Sequence, residues 1–171
     1  MIAVAPAPQQ AAQADSWDVF CGMLADECAA LTRLNASALQ MTQVLIDGSP
    51  DAIMDADRSL NDARTAHAAA SSKRRGMQAR GFGTMTLQQI YGYVPRHLAA
   101  QFGQRIAELT YGSISLGITL ANNKSLIVAG LDRLVKVTSK LQERMTERTG
   151  VYKRRGMVAP VGASVIMSSQ V

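Results

Sequence analysis

The sequence predicts an all-α protein, an elongated antiparallel helical bundle of coiled-coil-like type with three main helices and a short connecting helix. Two apolar seams carry this prediction, because their spacings alternate between three and four residues from Trp17 to Leu45 and from Ala99 to Leu141. Composition agrees: aromatic residues make up 5% of the chain and methionine occurs nine times. Hydrophobic residues, at 47%, are sufficient for the core of a single domain of 171 residues.

The predicted organisation is a flexible leader over residues 1–14, a helical domain over residues 15–148 and an irregular tail over residues 149–171. The first helix begins at Asp15 or Ser16, either of which can cap it, and ends before Gly48. Its seam contains one polar residue, Glu27, which we interpret as a side chain that fixes helix register.

The second helix is predicted from Pro50, after the capping residue Ser49, to Arg75. Lys73, Arg74 and Arg75 suit the negative end of a helix dipole. The three glycines in residues 76–86 then predict a loop, and a short helix follows from Thr86 to Tyr93.

The last helix is predicted from Pro95 to about Arg148, and the glycines at Gly112–Gly117 leave open whether it is continuous or bent there. Its length exceeds that of the first helix, so about Lys124 to Arg148 should extend past the Gly48 turn. This stretch keeps an apolar stripe, and we favour a partner, including a second copy in a homodimer, over a fold-back. The candidate partner-binding residues are Leu126, Ile127, Leu131, Leu134, Val135, Val137 and Leu141.

Motifs for catalysis and for ligand binding are absent from the sequence. It contains no phosphate-binding glycine loop with a following Lys and no nucleophile elbow. Cys21 and Cys28, about 10.5 Å apart on one helix, are too distant for a disulfide and are expected to be buried. His67 and His97 lack companions at metal-ligand spacing. The sequence therefore predicts no enzyme, no metal site and no cofactor.

Charge is distributed unevenly along the chain. Residues 1–70 contain three basic and nine acidic side chains, whereas residues 71–171 contain fifteen basic and four acidic ones. Complementary packing within one molecule explains this asymmetry better than nucleic-acid binding. A basic helix face remains as the alternative nucleic-acid surface, and we interpret it as solvated; its residues are Lys124, Arg133, Lys136, Lys140, Arg144 and Arg148.

The longest uncharged run, Leu109 to Asn123, is too short and too polar for a membrane span, and Met1–Ala14 lacks the basic residues of a signal peptide. We therefore expect a cytoplasmic protein without stable membrane insertion.

The order of these features resembles the FlgN family of flagellar export chaperones over residues 16–156. The resemblance begins with Trp17 opening a long helix, followed by an acidic start to the second helix at 51–57. A glycine-containing loop and a short helix come next. Residues 123–127, Asn-Lys-Ser-Leu-Ile, are similar to the family's Asn-Gly-x-Leu-Ile stretch, with Lys124 in place of glycine. Tyr152-Lys-Arg-Arg-Gly156 is similar to its Tyr-x-x-x-Gly ending.

This resemblance implies a function without catalysis. Such a chaperone binds the C-terminal helical segments of hook-associated proteins, which form the hook–filament junction. It prevents their premature association and delivers them to the export gate of the flagellar type III apparatus. By resemblance, the residues expected to dock on an export gate component are Tyr152, Lys153, Arg154 and Arg155. The alternative from the residues is a self-associating coiled-coil adaptor.

Overall fold

The protein is an all-α helical bundle in the computed structural model, which describes the backbone of residues 14–154 and the side chains of residues 16–146. Its helices are α1 (Ala14–Asp47), α2 (Pro50–Phe82), α3 (Leu87–Tyr91) and α4 (Arg96–Arg154). The described residues contain no strand. This architecture confirms the predicted class of three main helices and a short connecting helix.

α1 and α2 form an antiparallel hairpin whose turn has the predicted chemistry. Gly48 adopts φ of 76°, a left-handed conformation that glycine tolerates best. The Ser49 hydroxyl accepts a hydrogen bond from the Ala52 amide, and Pro50 opens α2. The α1 seam is buried as predicted from Trp17 to Met41, and Leu45 is half-buried.

The predicted end of the second helix at Arg75 is wrong, because α2 continues to Phe82 and includes Gly76 and Gly81. Each internal glycine costs up to about 1 kcal/mol relative to alanine. That cost is offset by packing, since Met77 and Phe82 contact the core cluster that contains Trp17. The helix ends instead at Gly83, where φ is 63°.

α3 closes one end of the bundle over an aromatic core. Thr86 caps it, and the capping box with Gln89 is complete, as the short predicted helix requires. Ile90 is fully buried against the rings of Phe20 and Phe102, whose centroids lie 5.9 Å apart. This end of the bundle therefore holds much of the chain's small aromatic content, and burial of each large side chain contributes about 1.5–3 kcal/mol.

α4 runs parallel to α1. The Asn35 side chain donates to the Gly112 carbonyl oxygen at 3.0 Å, and the Thr42 hydroxyl donates to Asn123 Oδ1 at 2.6 Å. Contacts thus advance in the same direction along both helices. A Cβ at Gly112 would lie 2.8 Å from Leu31 Cδ2, so this glycine permits close approach of the two helices.

α4 differs from the predicted last helix at its C-terminal end. It runs without interruption through Gly112 and Gly117 and continues to Arg154, beyond the predicted end at about Arg148, so the irregular tail does not begin at residue 149. Ala14 belongs to α1, and the rest of the leader and residues 155–171 lie outside the described residues.

The chain divides into two compact units, residues 1–127 and residues 128–171. The described part of the first unit contains the bundle and its aromatic core. The described part of the second is the C-terminal portion of α4, in which every described side chain is exposed.

Candidate partner-binding surface

The second unit presents a continuous set of exposed aliphatic side chains, here named the apolar stripe. Their exposed fractions lie between 54 and 63%. Single exposed aliphatic residues are ordinary on soluble proteins, whereas a contiguous apolar patch marks an interaction site. The stripe consists of Val128, Leu131, Leu134, Val135, Val137 and Leu141.

Helical geometry explains why these residues share one side of α4. At about 100° per residue, they cover about 180° of the helix circumference, with Val137 at one edge and Val128 at the other. Charged side chains occupy the opposite half: Arg133, Lys136, Lys140, Arg144, Asp132 and Glu143. The segment is therefore amphipathic, with an apolar half wider than a two-stranded coiled-coil seam.

Local interactions support this segment from its polar side. The Lys136 ammonium lies 2.6 Å from the Asp132 carboxylate in an exposed i,i+4 pair. Exposed pairs of this kind contribute about 0.3–0.5 kcal/mol. On the side of Val135, the Ser139 hydroxyl donates to the Val135 carbonyl oxygen. Thr138 lies within the apolar half, one heptad after Leu131, and its hydroxyl donates to the carbonyl oxygens of Leu134 and Val135. These polar groups are thus satisfied locally, while the aliphatic side chains remain solvent-exposed.

The structure places most of the predicted partner-binding residues on this stripe. Leu131, Leu134, Val135, Val137 and Leu141 all belong to it. They belong to α4, whose helical backbone extends to Arg154.

The other two predicted residues, Leu126 and Ile127, lie in the first unit. Leu126 is half-buried there, so its exposure was overestimated, and Ile127 is 45% exposed. Val128 was missed, although its spacing of three residues from Leu131 is a signal for the same face.

The candidate gate-docking residues lie at the C-terminal end of α4. Tyr152, Lys153 and Arg154 belong to the helix by their backbone, and their side chains lie outside the described residues, as does Arg155. Their assignment stays a prediction.

A second exposed apolar face on α4 lies in the first unit. Tyr111, Ile114 and Ile118 are 73, 56 and 59% exposed. They lie on a different side of the helix from the buried Thr119 and Asn123. Beside Tyr111, a shallow groove of about 280 Å³ is lined in part by Tyr91. The seam predicted along α4 does not include this face, although Tyr111, Ile114 and Ile118 also have helical spacing.

Glu27 has a partner that the sequence did not reveal. Its carboxylate accepts from Arg74 Nε at 2.5 Å and from Arg74 Nη2 at 3.2 Å, in a buried pair between α1 and α2. Burial acts to raise the pKa of Glu27, but hydrogen bonds from Arg74 and Ser71 and the Arg74 charge outweigh it, so the pKa falls below its ordinary value. Arg74 also donates to Gln78, whose amide donates to the Met85 carbonyl oxygen.

Both cysteines are buried free thiols, as predicted. Burial raises the pKa of Cys28 to about 11. Burial also raises the pKa of Cys21, and the nearby negative charge of Asp18 raises it further. Thiols of raised pKa are poor nucleophiles and poor metal ligands at neutral pH. Both thiols are buried in the core, where they pack as small apolar side chains.

Cofactor and metal chemistry finds no support among the described side chains. No group of three or more His, Cys, Asp or Glu residues in this part of the chain could hold a metal ion. A half-buried ion pair on α4 also perturbs a carboxylate, because the hydrogen bond from the Arg105 guanidinium lowers the pKa of Glu108. The chemical features that the described part of this surface offers to a partner are its exposed aliphatic side chains and its charges.

α4 meets the length and composition criteria for a membrane span within the described residues. It contains an 18-residue window of mean hydropathy 1.2, of which 11% is buried in the protein. The composition of α4 therefore does not support the expectation that no segment of the chain is apolar enough to span a membrane. That the protein has no stable membrane insertion stays a prediction.

No protein-family model, curated protein or solved structure matches this chain.

Proposed function

We propose that this protein is a non-catalytic cytoplasmic chaperone that binds an amphipathic helical segment of a client protein. The observation that carries the proposal is the apolar stripe, whose side chains are more than half exposed on one half of α4. An amphipathic helix laid on such a face buries apolar surface of both partners, which is the main source of affinity in helix recognition.

The resemblance to the FlgN family supplies the proposed client and pathway. The client is the C-terminal helical segment of a hook-associated protein, and the destination is an export gate component of the flagellar type III apparatus. In this proposal, the stripe holds the client, while Tyr152 and the basic residues after it contact the gate. Neither step requires a cofactor or a metal.

Self-association through the stripe is the second candidate, because the same exposed apolar half would also be buried in a homodimer or a larger coiled-coil assembly.

The residues on the polar half of α4 argue against nucleic-acid binding. There, the basic residues alternate with Asp132 and Glu143, and Lys136 is paired with Asp132. Nor does that half carry an aromatic residue on which a base could stack.

The test is co-expression with the C-terminal segments of hook-associated proteins from the same organism, followed by size exclusion with light scattering. A discrete complex with one such segment is expected. If no segment binds and the protein alone runs as a dimer or larger, the adaptor function replaces the chaperone function. Salt-sensitive retention on DNA without client binding would favour the nucleic-acid alternative.

Two variants separate the two proposed surfaces. Leu131→Asp with Leu134→Asp should abolish client binding while helical content stays at the wild-type level, since both side chains are exposed. Tyr152→Ala should retain client binding and impair export. Loss of client binding in Tyr152→Ala would contradict the separation of client and gate surfaces.

A further inference from the structure

The width of the apolar stripe identifies the kind of client that fits it. In heptad terms, Leu131 occupies position a, and Leu134 and Leu141 occupy position d. Val128 and Val135 then occupy position e, and Val137 occupies position g. A two-stranded coiled coil buries only a and d, whereas helices inside a bundle also bury e or g. One partner helix on Leu131 and Leu134 would leave a valine edge exposed on at least one side.

The two edges of the stripe also differ in charge. The edge at Val137, here named the g edge, is bordered by Arg133, Lys140 and Arg144, which carry no ion pair to an acidic residue in the described structure. The edge at Val128 and Val135, here named the e edge, is bordered by residues that include Asp132, Lys136 and Glu143.

Net charge therefore distinguishes the borders of the two edges. Asp132 and Lys136 form an ion pair along the e-edge border, and Glu143 lies beside them. Among the residues whose side chains the structure describes, the charged residues of the g-edge border, Arg133, Lys140 and Arg144, are all basic. A client helix packed along the g edge binds more strongly if acidic residues flank its apolar face, because they attract the basic residues of this border. A client helix packed along the e edge does not need acidic flanking residues.

We propose that the stripe accepts two amphipathic helices of one client chain, one along each edge, and that the helix on the g edge carries acidic flanking residues. This inference rests on the proposed function, because it specifies the client of the same surface. A two-helix client covers both valine edges and completes a local bundle around Leu131, Leu134 and Leu141. Complementary charge on the g edge sets which client helix lies on which side.

The experiment measures the affinity of the full-length chain for the co-expressed client segment by titration calorimetry. Val128→Asp and Val137→Asp should each weaken binding by at least about tenfold, since each places a charge in a buried edge contact. Ala129→Asp, on the polar half of the same helical turn, is the matched control and should change affinity by less than about twofold. Circular dichroism checks that all three variants keep wild-type helicity.

Charge reversal tests the asymmetry. Arg133→Glu with Arg144→Glu should weaken binding by about tenfold or more at low salt, and this loss should shrink as salt is raised. Lys136→Glu is the control at the e-edge border and should change the affinity for the client segment only slightly. Equal losses from both substitutions would overturn the assignment of the acidic client helix to the g edge.

The outcomes distinguish this inference from the function on which it rests. If Leu131→Asp with Leu134→Asp abolishes binding but only one edge variant weakens it, the client is a single helix, and the two-helix inference fails while the chaperone function stands. If the central variant leaves binding unchanged, the chaperone function itself fails. If the protein alone is a dimer that both edge variants convert to monomer, a second copy occupies the stripe and overturns the inference.

Discussion

The carboxylate of Glu27 on α1 and the guanidinium of Arg74 on α2 form a bidentate ion pair in the interior of the bundle, with the closer contact at 2.5 Å. Their side chains are only 5 and 9% exposed. Since water has little access to either charge, each depends on the other, and we interpret the pair as a contact that specifies the register of α1 against α2.

We expect Glu27→Ala to lower the free energy of unfolding by about 3–5 kcal/mol, because it leaves the Arg74 charge buried and unpaired. The double variant Glu27→Met with Arg74→Met should recover most of that loss, since two apolar side chains of similar volume need no partner. Urea unfolding followed by circular dichroism measures the unfolding free energy of the single and of the double variant. A double variant as unstable as the single one would contradict this account of the pair.

The lowered pKa of Glu27 predicts a loss of stability in acid. A carboxylate whose folded pKa is depressed contributes stability above its ordinary pKa of about 4.3, and this contribution disappears as pH falls through the folded value. As pH falls from 7 to 2, the unfolding free energy of the wild type should therefore decrease relative to that of the Glu27→Met, Arg74→Met variant, which lacks this carboxylate. A constant difference across this range would exclude Glu27 as the titrating group.

The close approach of α1 and α4 predicts opposite effects of alanine at two glycines of α4. Gly112→Ala should destabilise the protein by about 1–3 kcal/mol, because its Cβ would lie 2.8 Å from Leu31 Cδ2 in a packed interface. Gly117→Ala is the matched control, since nothing lies within 4 Å of its Cβ, and it should stabilise the helix by up to about 1 kcal/mol. Thermal unfolding measures the stability of both variants. If both substitutions stabilise the protein, the close contact between Gly112 and Leu31 is contradicted.

The raised pKa of Cys28 predicts a loss of stability in alkali. Because the folded pKa of about 11 exceeds the ordinary value of about 8.5, the thiol contributes stability below the ordinary value and loses it as pH rises towards 11. The difference in unfolding free energy between the wild type and Cys28→Ala should therefore narrow across this range. Slow alkylation of the native protein by iodoacetamide at pH 8, compared with the unfolded chain, provides an independent check.

Exposure of the stripe predicts that its substitution has little effect on folding. Leu131→Asp with Leu134→Asp should change the unfolding free energy by less than about 1 kcal/mol. Leu24→Ala, at a site with no exposed surface, should cost about 2–5 kcal/mol. A large loss of stability in the stripe variant would show that these residues belong to a core of the free protein.

The sequence predicted the α1–α2 turn, the short helix α3 and most of the aliphatic residues of the stripe, because each depends on signals within one or two helical turns. Gly48, Ser49 and Pro50 determine a local backbone path whatever surrounds them. The seam of α1 was equally readable, since an alternating spacing specifies a face before any partner is known.

Tertiary packing decided the end of α2, the partner of Glu27 and the true inner face of α4. Gly76 reads as a helix stop in isolation, but Phe82 and Met77 gain more from the core than the glycine costs. Arg74 reads as a helix-end cation, yet 47 residues separate it from the carboxylate that it neutralises. Such long-range pairings have no local signature, because they depend on which helices are brought side by side, and only the folded chain establishes that.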